Sequence, residues 1–259
     1  MMAHRGRPGP TSRLRSLITL AAAALLGALS AQLLPSRNAP HAPAASCVNK
    51  PLLPIKSRVE LGELLEKEGF STGAELGVQR GEFSKTLLDS WRSCKSYLMV
   101  DAWQHQENYN EAANVDDAWQ QQNYELAQQA VAAHAGKARL LKMYTSEAAK
   151  LVADASLDFV YIDARHDFCG AAEDIALWWP KVMRGGILAG HDYLNAKEIR
   201  DYHPDEDWGL CGNGRKHDGA VKAAVAEFAA REGLTVAVTY REWEQHPYAT
   251  WMVRKPTCQ

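Results

Sequence analysis

The sequence has no acidic residue among its first 59 positions, although eight arginines and lysines lie there. The remaining 200 residues reverse this balance and carry ten more acidic than basic side chains. Proteins that hold nucleic acid through its phosphates need a basic face. The acidic body of this chain lacks the charge for such a face, so we predict no nucleic-acid partner.

Cysteine motifs and glycosylation signals are absent as well. The five cysteines include no C-x-x-C pair, which argues against a zinc knuckle and a thioredoxin-like redox motif. No Asn-x-Ser/Thr sequon occurs, which weakens the case for a glycosylated secretory protein. An odd cysteine count leaves at least one thiol unpaired, and both a Cys47–Cys258 pair and ordinary free thiols remain open.

The first 56 residues have the order of a targeting or anchoring signal. A basic segment (1–16) is followed by an uncharged Leu- and Ala-rich run (17–34) and a proline-bearing linker (35–56). This order is typical of a signal anchor, a cleaved signal peptide or an Arg-rich organellar transit peptide. By the positive-inside rule, an anchor here would keep its arginines in the cytosol. We therefore expect membrane contact through 17–34 and a domain over 57–259 on the lumenal or extracytoplasmic side, with organellar import as the alternative.

From residue 57 onward, helix and strand patterns alternate without internal repeats. Seven strands are predicted, at 73–77, 97–101, 139–143, 157–163, 187–190, 234–240 and 248–254. The predicted helices cover 59–70, 81–90, 114–133, 169–182 and 220–231, and 193–217 is predicted to be a polar loop. Alternating strands and helices imply right-handed crossovers and an α/β, doubly wound, mostly parallel sheet, to which the final hairpin adds an antiparallel strand. Ligands of such sheets bind at the carboxyl ends of the strands.

Two candidate ligand-binding features follow the first two strands. The turn Glu75-Leu-Gly77-Val-Gln-Arg-Gly81 has two glycines that let the backbone approach a ligand, and an acid that can hold a ligand cation. Its spacing differs from the G-x-G-x-x-G of dinucleotide binders, and a plain helix-entry turn is the alternative. Asp101 ends the second strand, where a carboxylate can accept both hydroxyls of a ribose or simply act as a cap.

In their order along the chain, four segments resemble the class I S-adenosylmethionine-dependent methyltransferases. They are Ala-Glu-Leu-Gly-Val-Gln-Arg-Gly, Val-Asp-Ala-Trp, Leu-Asp-Phe-Val-Tyr-Ile-Asp and Arg-Gly-Gly-Ile-Leu-Ala-Gly-His-Asp-Tyr, and the similarity covers most of 57–259. The resemblance implies a Rossmann-like fold and S-adenosylmethionine as cofactor. It implies that Glu75, Gly77 and Gly81 line the methionine end, that Asp101 binds the ribose, that Ser146 lies near the adenine, and that Asp163 also faces the cofactor.

A third group of polar residues follows the fourth and fifth strands. Asp163 and His166 come after the fourth strand, and His191 and Asp192 after the fifth, so all four converge on the ligand edge. Two carboxylates with one imidazole suit a divalent ion such as Mg²⁺ or Mn²⁺, and we predict Asp163, His191 and Asp192 as its ligands. The spacing is similar to that of cation-dependent O-methyltransferases, although His191 stands where they carry an acid.

The same resemblance places a base at position 166. The catechol-type enzymes of that branch have a lysine at this position, which removes the hydroxyl proton. A histidine with its ordinary pKa of about 6.5 can do so near neutrality. Asp163 joins His166 in the predicted catalytic pair. Structural histidines, bonded to neighbouring turns, are the alternative for His166 and His191.

These features together predict a membrane-anchored or exported methyltransferase. We expect metal-assisted methyl transfer from S-adenosylmethionine to a hydroxyl group of a small molecule or sugar. Two other hypotheses remain open: a metal-dependent hydrolase that uses the same four polar groups around an activated water, and a tethered binding module that has lost catalysis.

Overall fold

The computed structural model describes residues 50–239 and 248–257. The predicted basic segment, the predicted membrane helix and most of the predicted linker lie outside these residues. Within the described ranges, no helix is both long enough and apolar enough to cross a membrane.

Seven strands form one mixed sheet in the order β3-β2-β1-β4-β5-β7-β6. Strand β7 runs antiparallel to both of its neighbours, and the pairs among β1 to β5 are parallel. The predicted doubly wound sheet with an antiparallel closing strand is therefore confirmed. The strands are β1 (Thr72–Leu76), β2 (Ser96–Asp101), β3 (Ala138–Lys142), β4 (Leu157–Ile162), β5 (Val182–Gly190), β6 (Ala237–Val238) and β7 (Trp251–Arg254).

Helices cover both faces of the sheet, and polar caps or glycines fix many of their ends. They are α1 (Leu61–Glu68), α2 (Glu82–Ser90), α3 (Asp117–Ala130), α4 (Thr145–Ala148), α5 (Phe168–Trp178), α6 (Ala196–Tyr202) and α7 (Ala220–Glu232). The carboxylates of Asp116 and Asp167 cap α3 and α5 by accepting backbone N–H groups. Helices α1 and α7 end at Gly69 and Gly233, both in the left-handed conformation that glycine adopts without strain.

Helix α6 lies inside the segment predicted to be a loop, so that part of the prediction is wrong. Asn195 and Glu198 form a reciprocal capping box that starts the helix. Ile199 is fully buried and fixes the helix against the domain. One short turn with one apolar anchor gives too little periodicity to be recognised in a sequence.

Strand β5 begins five residues earlier than predicted, because its two glycines lie within the strand and do not end a helix. A side chain at Gly186 would approach the carbonyl oxygen of Asp158 to 2.7 Å. The register between β4 and β5 shifts at this point, between the pairs of Leu157 and Phe159. Glycine is therefore needed here for close strand packing at an irregularity.

Strand β4 lies at the centre of the core. All six of its residues are buried, as its apolar run predicted. Phe159 and Tyr161 pack into one apolar cluster with Trp91 and α1 to α3, while Val160 joins a second cluster with Trp178 on the other face. Burial on both faces holds β4 rigidly, so the residues that follow it are firmly positioned.

Candidate active site

A cavity of about 690 Å³ opens at the carboxyl ends of the parallel strands. Eight of the nine residues predicted from the sequence as site residues line it: Glu75, Gly77, Asp101, Ser146, Asp163, His166, His191 and Asp192. Gly81 is the exception. It caps α2 in the left-handed conformation, and a methyl group on it would lie 3.1 Å from the Cα atom of Ala127 in α3. Helix packing thus accounts for this glycine.

Gly77 lies where the ends of β1 and β4 touch. Its φ angle is 82°. A methyl group added to it would lie 1.9 Å from the carbonyl oxygen of Asp163. The backbone N–H of Asp163 in turn donates to the carbonyl of Leu76 over 2.7 Å. Close approach of two strand ends therefore demands glycine here, whatever ligand the turn binds.

Glu75 lies in β1, two residues before Gly77, and its carboxyl group is buried. Its side chain accepts hydrogen bonds from the hydroxyl groups of Ser84 and Tyr97. Burial raises the pKa of Glu75 to about 8, and the charge of Asp163 adds to this, against the opposing effects of its hydrogen bonds and of Arg58. The carboxyl group is therefore mostly protonated at neutral pH, until a ligand brings a positive charge to it.

Asp101 ties the glycine turn to the loop after β2. One carboxylate oxygen accepts the backbone N–H groups of Val78 and Gln79, each at 2.9 Å. The other accepts the N–H of Trp103 at 2.8 Å. Burial raises the pKa of Asp101, and these hydrogen bonds oppose the rise. The residue thus forms the cap that the sequence left as an alternative, and it also faces the cavity where the ribose is expected.

Ser146 lies in the first turn of α4, at the end of the cavity expected to hold adenine. The hydroxyl of the neighbouring Tyr144 accepts a hydrogen bond from the Gln104 side chain. Asp174 of α5 lines the same end, and burial raises its pKa to about 7. The sequence analysis missed Asp174, because a lone acid within an apolar helix gives no motif.

Asp163, His191 and Asp192 form a compact group of ligand atoms on the other side of the cavity. Each offers one atom, and these atoms lie within 4.8 Å of one another. Nδ1 of His191 is 3.1 Å from a carboxylate oxygen of Asp192. Asp192 has a φ of 56°, a strained conformation for a non-glycine residue that often marks functional sites. The donor set fits a divalent cation of the kind predicted.

His166 lies between three carboxylates. Its Nε2 atom is 2.9 Å from Asp192 and 3.5 Å from Asp163, and its Nδ1 atom is 3.1 Å from Glu111. Burial alone would lower the pKa of His166, but Glu111, Tyr109 and Asp192 raise it well above the usual value. The sequence argument assumed an ordinary pKa. The carboxylates around the ring instead favour its protonated form.

The sequence analysis missed two further charged residues of the cavity. Glu111 lies in the polar loop before α3, where nothing in the sequence distinguishes it. Arg58 had been counted with the acid-free N-terminal segment. Its guanidinium donates to the Asp163 carboxylate at 3.1 Å and lies 5.5 Å from the centre of the Phe83 ring. Arg58 is 105 residues from Asp163 in the sequence, and Glu111 is likewise far from its partner His166. Sequence patterns do not reveal contacts over such separations.

Two loops that we call the roof, 104–116 and 203–217, close the cavity above His166. They are joined at Asn110, whose side chain donates to the carbonyl of Asp205 at 2.7 Å and whose carbonyl accepts the N–H of Asp207 at 3.1 Å. The Trp208 ring lies 4.5 Å from the His166 ring, centre to centre. The roof therefore supplies an aromatic wall beside the acid and histidine cluster.

A disulfide between Cys169 and Cys211 fastens the second roof loop to the first turn of α5. Cys94 is buried and reduced. The sequence analysis did not identify this pair, because spacing alone does not reveal which cysteines meet. The hypothetical Cys47–Cys258 pair lies outside the described residues.

Comparison with known proteins finds one protein family whose model matches the central part of the domain. Residues 74–193 match a family model described as a methyltransferase domain. This range contains all eight of the cavity residues above, from Glu75 to Asp192. A comparison with curated proteins finds no match.

Solved structures share the fold at low sequence identity. An O-methyltransferase from Bacillus cereus, solved with S-adenosylhomocysteine, aligns with a TM-score of 0.51 and 13% identity over 76% of this chain and 80% of that chain. A protein from Staphylococcus aureus, assigned as a caffeoyl-CoA O-methyltransferase, aligns with a TM-score of 0.50 and 11% identity over 79% of this chain and 85% of that chain. These likenesses establish the fold.

Proposed function

We propose that the chain transfers the methyl group of S-adenosylmethionine to a hydroxyl group of a small molecule or sugar, and the match of residues 74–193 to a methyltransferase domain supports the methyl-transfer part. One observation carries the proposal. A single cavity joins Glu75 and Asp101, suited to the cofactor, to the cluster of Asp163, His191 and Asp192, suited to a divalent cation. The methyltransferase match decides against the hydrolase hypothesis.

The cofactor half is formed by the ends of β1 and β2 and by α4. Asp101 would accept the ribose hydroxyls, Glu75 would hold the cationic methionine end, and Ser146 would lie at the adenine. When bound here, S-adenosylmethionine would supply a sulfonium methyl group that can pass to an acceptor oxygen placed in line with the carbon–sulfur bond, with S-adenosylhomocysteine as the leaving group. The protein's part is to align the two reactants above the ends of β1 and β4.

The acceptor half is formed by the ends of β4 and β5 and by the roof. Asp163, His191 and Asp192 would hold a divalent cation, which supplies the acidity that ionises a coordinated hydroxyl group. His166 Nε2 lies beside Asp163 and Asp192, where it can take the hydroxyl proton once the ring has lost its own. Trp208, which is only 2% exposed, gives this half an apolar wall.

Titration of the full-length chain with S-adenosylhomocysteine, followed by calorimetry, tests the cofactor half. We expect micromolar binding to the wild type and to Asp163→Asn and Asp192→Asn. Asp101→Ala should lose most of the affinity. Because Asp101 also holds three backbone N–H groups, Asp101→Asn is the matched control: it retains an acceptor oxygen and should keep part of the affinity. Unchanged binding by Asp101→Ala would refute the ribose assignment.

Titration with Mn²⁺ tests the acceptor half independently. Electron paramagnetic resonance of free Mn²⁺ should report one bound ion in the wild type and loss of binding in Asp163→Asn and in Asp192→Asn. Asp101→Asn should bind Mn²⁺ like the wild type. Methyl transfer that continues at an unchanged rate in chelator would refute the metal-assisted part of the proposal while leaving the methyltransferase intact.

We also propose that the domain works in an oxidising compartment, on the lumenal or extracytoplasmic side of a membrane to which residues 17–34 anchor it. The Cys169–Cys211 disulfide supports this placement, because structural disulfides persist mainly in such compartments. Thiol alkylation in intact cells, before and after reduction, tests it. Both cysteines should react only after reduction, whereas alkylation without reductant would contradict the proposal.

A further inference from the structure

Arg58 places a guanidinium group at the end of the cavity that holds Glu75. It belongs to the short 3₁₀ turn Arg58–Glu60 before α1 and lines the cavity together with Phe83 and Asp163. Its side chain keeps 31% of its surface exposed. Since this side chain is part of the cavity wall, a ligand in the cavity can reach it.

Among the described residues, the guanidinium has more donors than its partners there use. An arginine carries five N–H donors in a rigid fork. One donates to Asp163 at 3.1 Å, and the hydroxyl of Tyr161 accepts another. The remaining donors are available to an anion, and a carboxylate is the anion whose two oxygens best match the fork.

The other two arginines of the cavity wall are committed elsewhere. Arg80 donates through Nε to the Asn123 side chain at 3.1 Å. Arg165 is paired with Asp167 at 2.7 Å and donates to the carbonyl of Asn108 at 3.0 Å. No lysine lines the described part of the cavity. What distinguishes Arg58 is its location, because its contacts with Asp163 and Phe83 lie next to Glu75.

Shared neighbours bring Arg58 close to Glu75. The guanidinium lies 5.5 Å from the Phe83 ring, which stacks on the Tyr161 ring at 4.3 Å, and Tyr161 is the residue of β4 that pairs with Glu75. Both residues line the same cavity, and an ammonium group bound beside Glu75 would favour its ionised form, so that the two side chains would then carry charges of opposite sign. An amino-acid group in its zwitterionic form carries an ammonium and a carboxylate on one carbon atom. The two side chains thus match that group charge for charge.

We infer that Arg58 binds the carboxylate of the amino-acid end of S-adenosylmethionine, while Glu75 faces its ammonium group. The inference rests on the proposed function. It adds a residue from outside the strand-end motifs, and it gives the turn before α1 a direct part in the cofactor site. The alternative is that Arg58 only neutralises Asp163.

The test compares two ligands that differ by one carboxylate. Full-length wild type, Arg58→Gln and Arg58→Lys are titrated calorimetrically with S-adenosylhomocysteine and with its decarboxylated analogue, S-adenosyl-3-thiopropylamine. We expect the wild type to prefer S-adenosylhomocysteine by about tenfold to a hundredfold, as charge-assisted hydrogen bonds typically give. Arg58→Gln should lose this preference while binding the analogue as the wild type does, and Arg58→Lys should keep part of it.

Arg139→Gln is the matched control, since it removes an exposed arginine of β3 that does not line the cavity, and it should keep the full preference. An equal loss of affinity for both ligands in Arg58→Gln would overturn the inference and support a role through Asp163. Equal binding of both ligands by the wild type would overturn it too, with the proposed function intact. A wild type that binds neither ligand would refute the proposed function itself. Unchanged binding of the analogue by Arg58→Gln also shows that the variant is folded.

Discussion

Glu75→Gln should stabilise the ligand-free protein, and by more as the pH rises. The carboxyl group of Glu75 is almost fully buried, with 1% of its surface exposed. Burial raises its pKa from 4.5 to about 8. Between these two values the folded chain keeps a proton that the unfolded chain has released, so the stability of the wild type falls as the pH rises through this window. Glutamine has the same size and retains an acceptor oxygen for Ser84 and Tyr97, but does not ionise.

The size of the effect follows from the two pKa values. Each pKa unit corresponds to about 1.4 kcal/mol, so a rise from 4.5 to about 8 makes the ionised carboxylate cost the folded state up to roughly 5 kcal/mol. The difference in the free energy of unfolding between variant and wild type should be near zero below pH 4.5. It should reach roughly 2 to 3 kcal/mol at pH 6.5 and level off above pH 8.

Urea unfolding of wild type and Glu75→Gln at several pH values between 5 and 9 measures this difference. Glu63→Gln serves as the control, because Glu63 is exposed on α1, with 67% of its side-chain surface accessible, and its difference from the wild type should stay flat. S-Adenosylhomocysteine should narrow the gap at high pH, since its ammonium group compensates the charge of Glu75. Parallel pH profiles for wild type and Glu75→Gln would refute the argument that burial governs this carboxyl group.

Three further substitutions test the framework around the site. The disulfide links residues 42 positions apart, and its removal in the double variant Cys169→Ala/Cys211→Ala should lower the free energy of unfolding by roughly 3 to 4 kcal/mol. In urea unfolding, a dithiol reductant should lower the free energy of unfolding of the wild type by the same amount and leave that of the double variant unchanged. Gly77→Ala should lose more than about 4 kcal/mol, because its methyl group would lie 1.9 Å from the carbonyl oxygen of Asp163; a melting temperature near that of the wild type would contradict this contact. Asp158→Ala leaves three donors at the start of β1 without their acceptor and should cost roughly 2 to 4 kcal/mol by the same assay, whereas a loss below 1 kcal/mol would show that water replaces the carboxylate.

The sheet was predictable because its signals are local. The apolar run of β4 and the alternation of strands with helices are visible over a few residues each, and right-handed crossovers then leave few topologies open. Two details were not predictable. The capping box at Asn195 starts a helix too short to show periodicity, and Gly186 lies inside a strand where its sequence suggested the end of a helix.

The candidate site was predictable to the extent that it follows from the sheet. Residues directly after a parallel strand gather at one edge, which is why Asp163 and Asp192 could be placed together without a structure. Glu111, Arg58 and the cysteine pair reach the cavity from loops and turns, and their positions depend on how distant segments fold back. The raised pKa of His166 could not be foreseen either, because it results from Glu111, one of these hidden neighbours.

The contact of Gly77 with Asp163 sets a practical limit on redesign of this protein. Any side chain at Gly77 would have to displace the backbone of Asp163 at the end of β4, because its first carbon atom would lie 1.9 Å from that carbonyl oxygen. Libraries that aim at new acceptors should therefore leave the ends of β1 and β4 untouched and vary the roof loops, 104–116 and 203–217. Tyr109 of the first loop and Trp208 of the second line the cavity, so substitutions in these loops can reshape the cavity wall without disturbing the contact between Gly77 and Asp163.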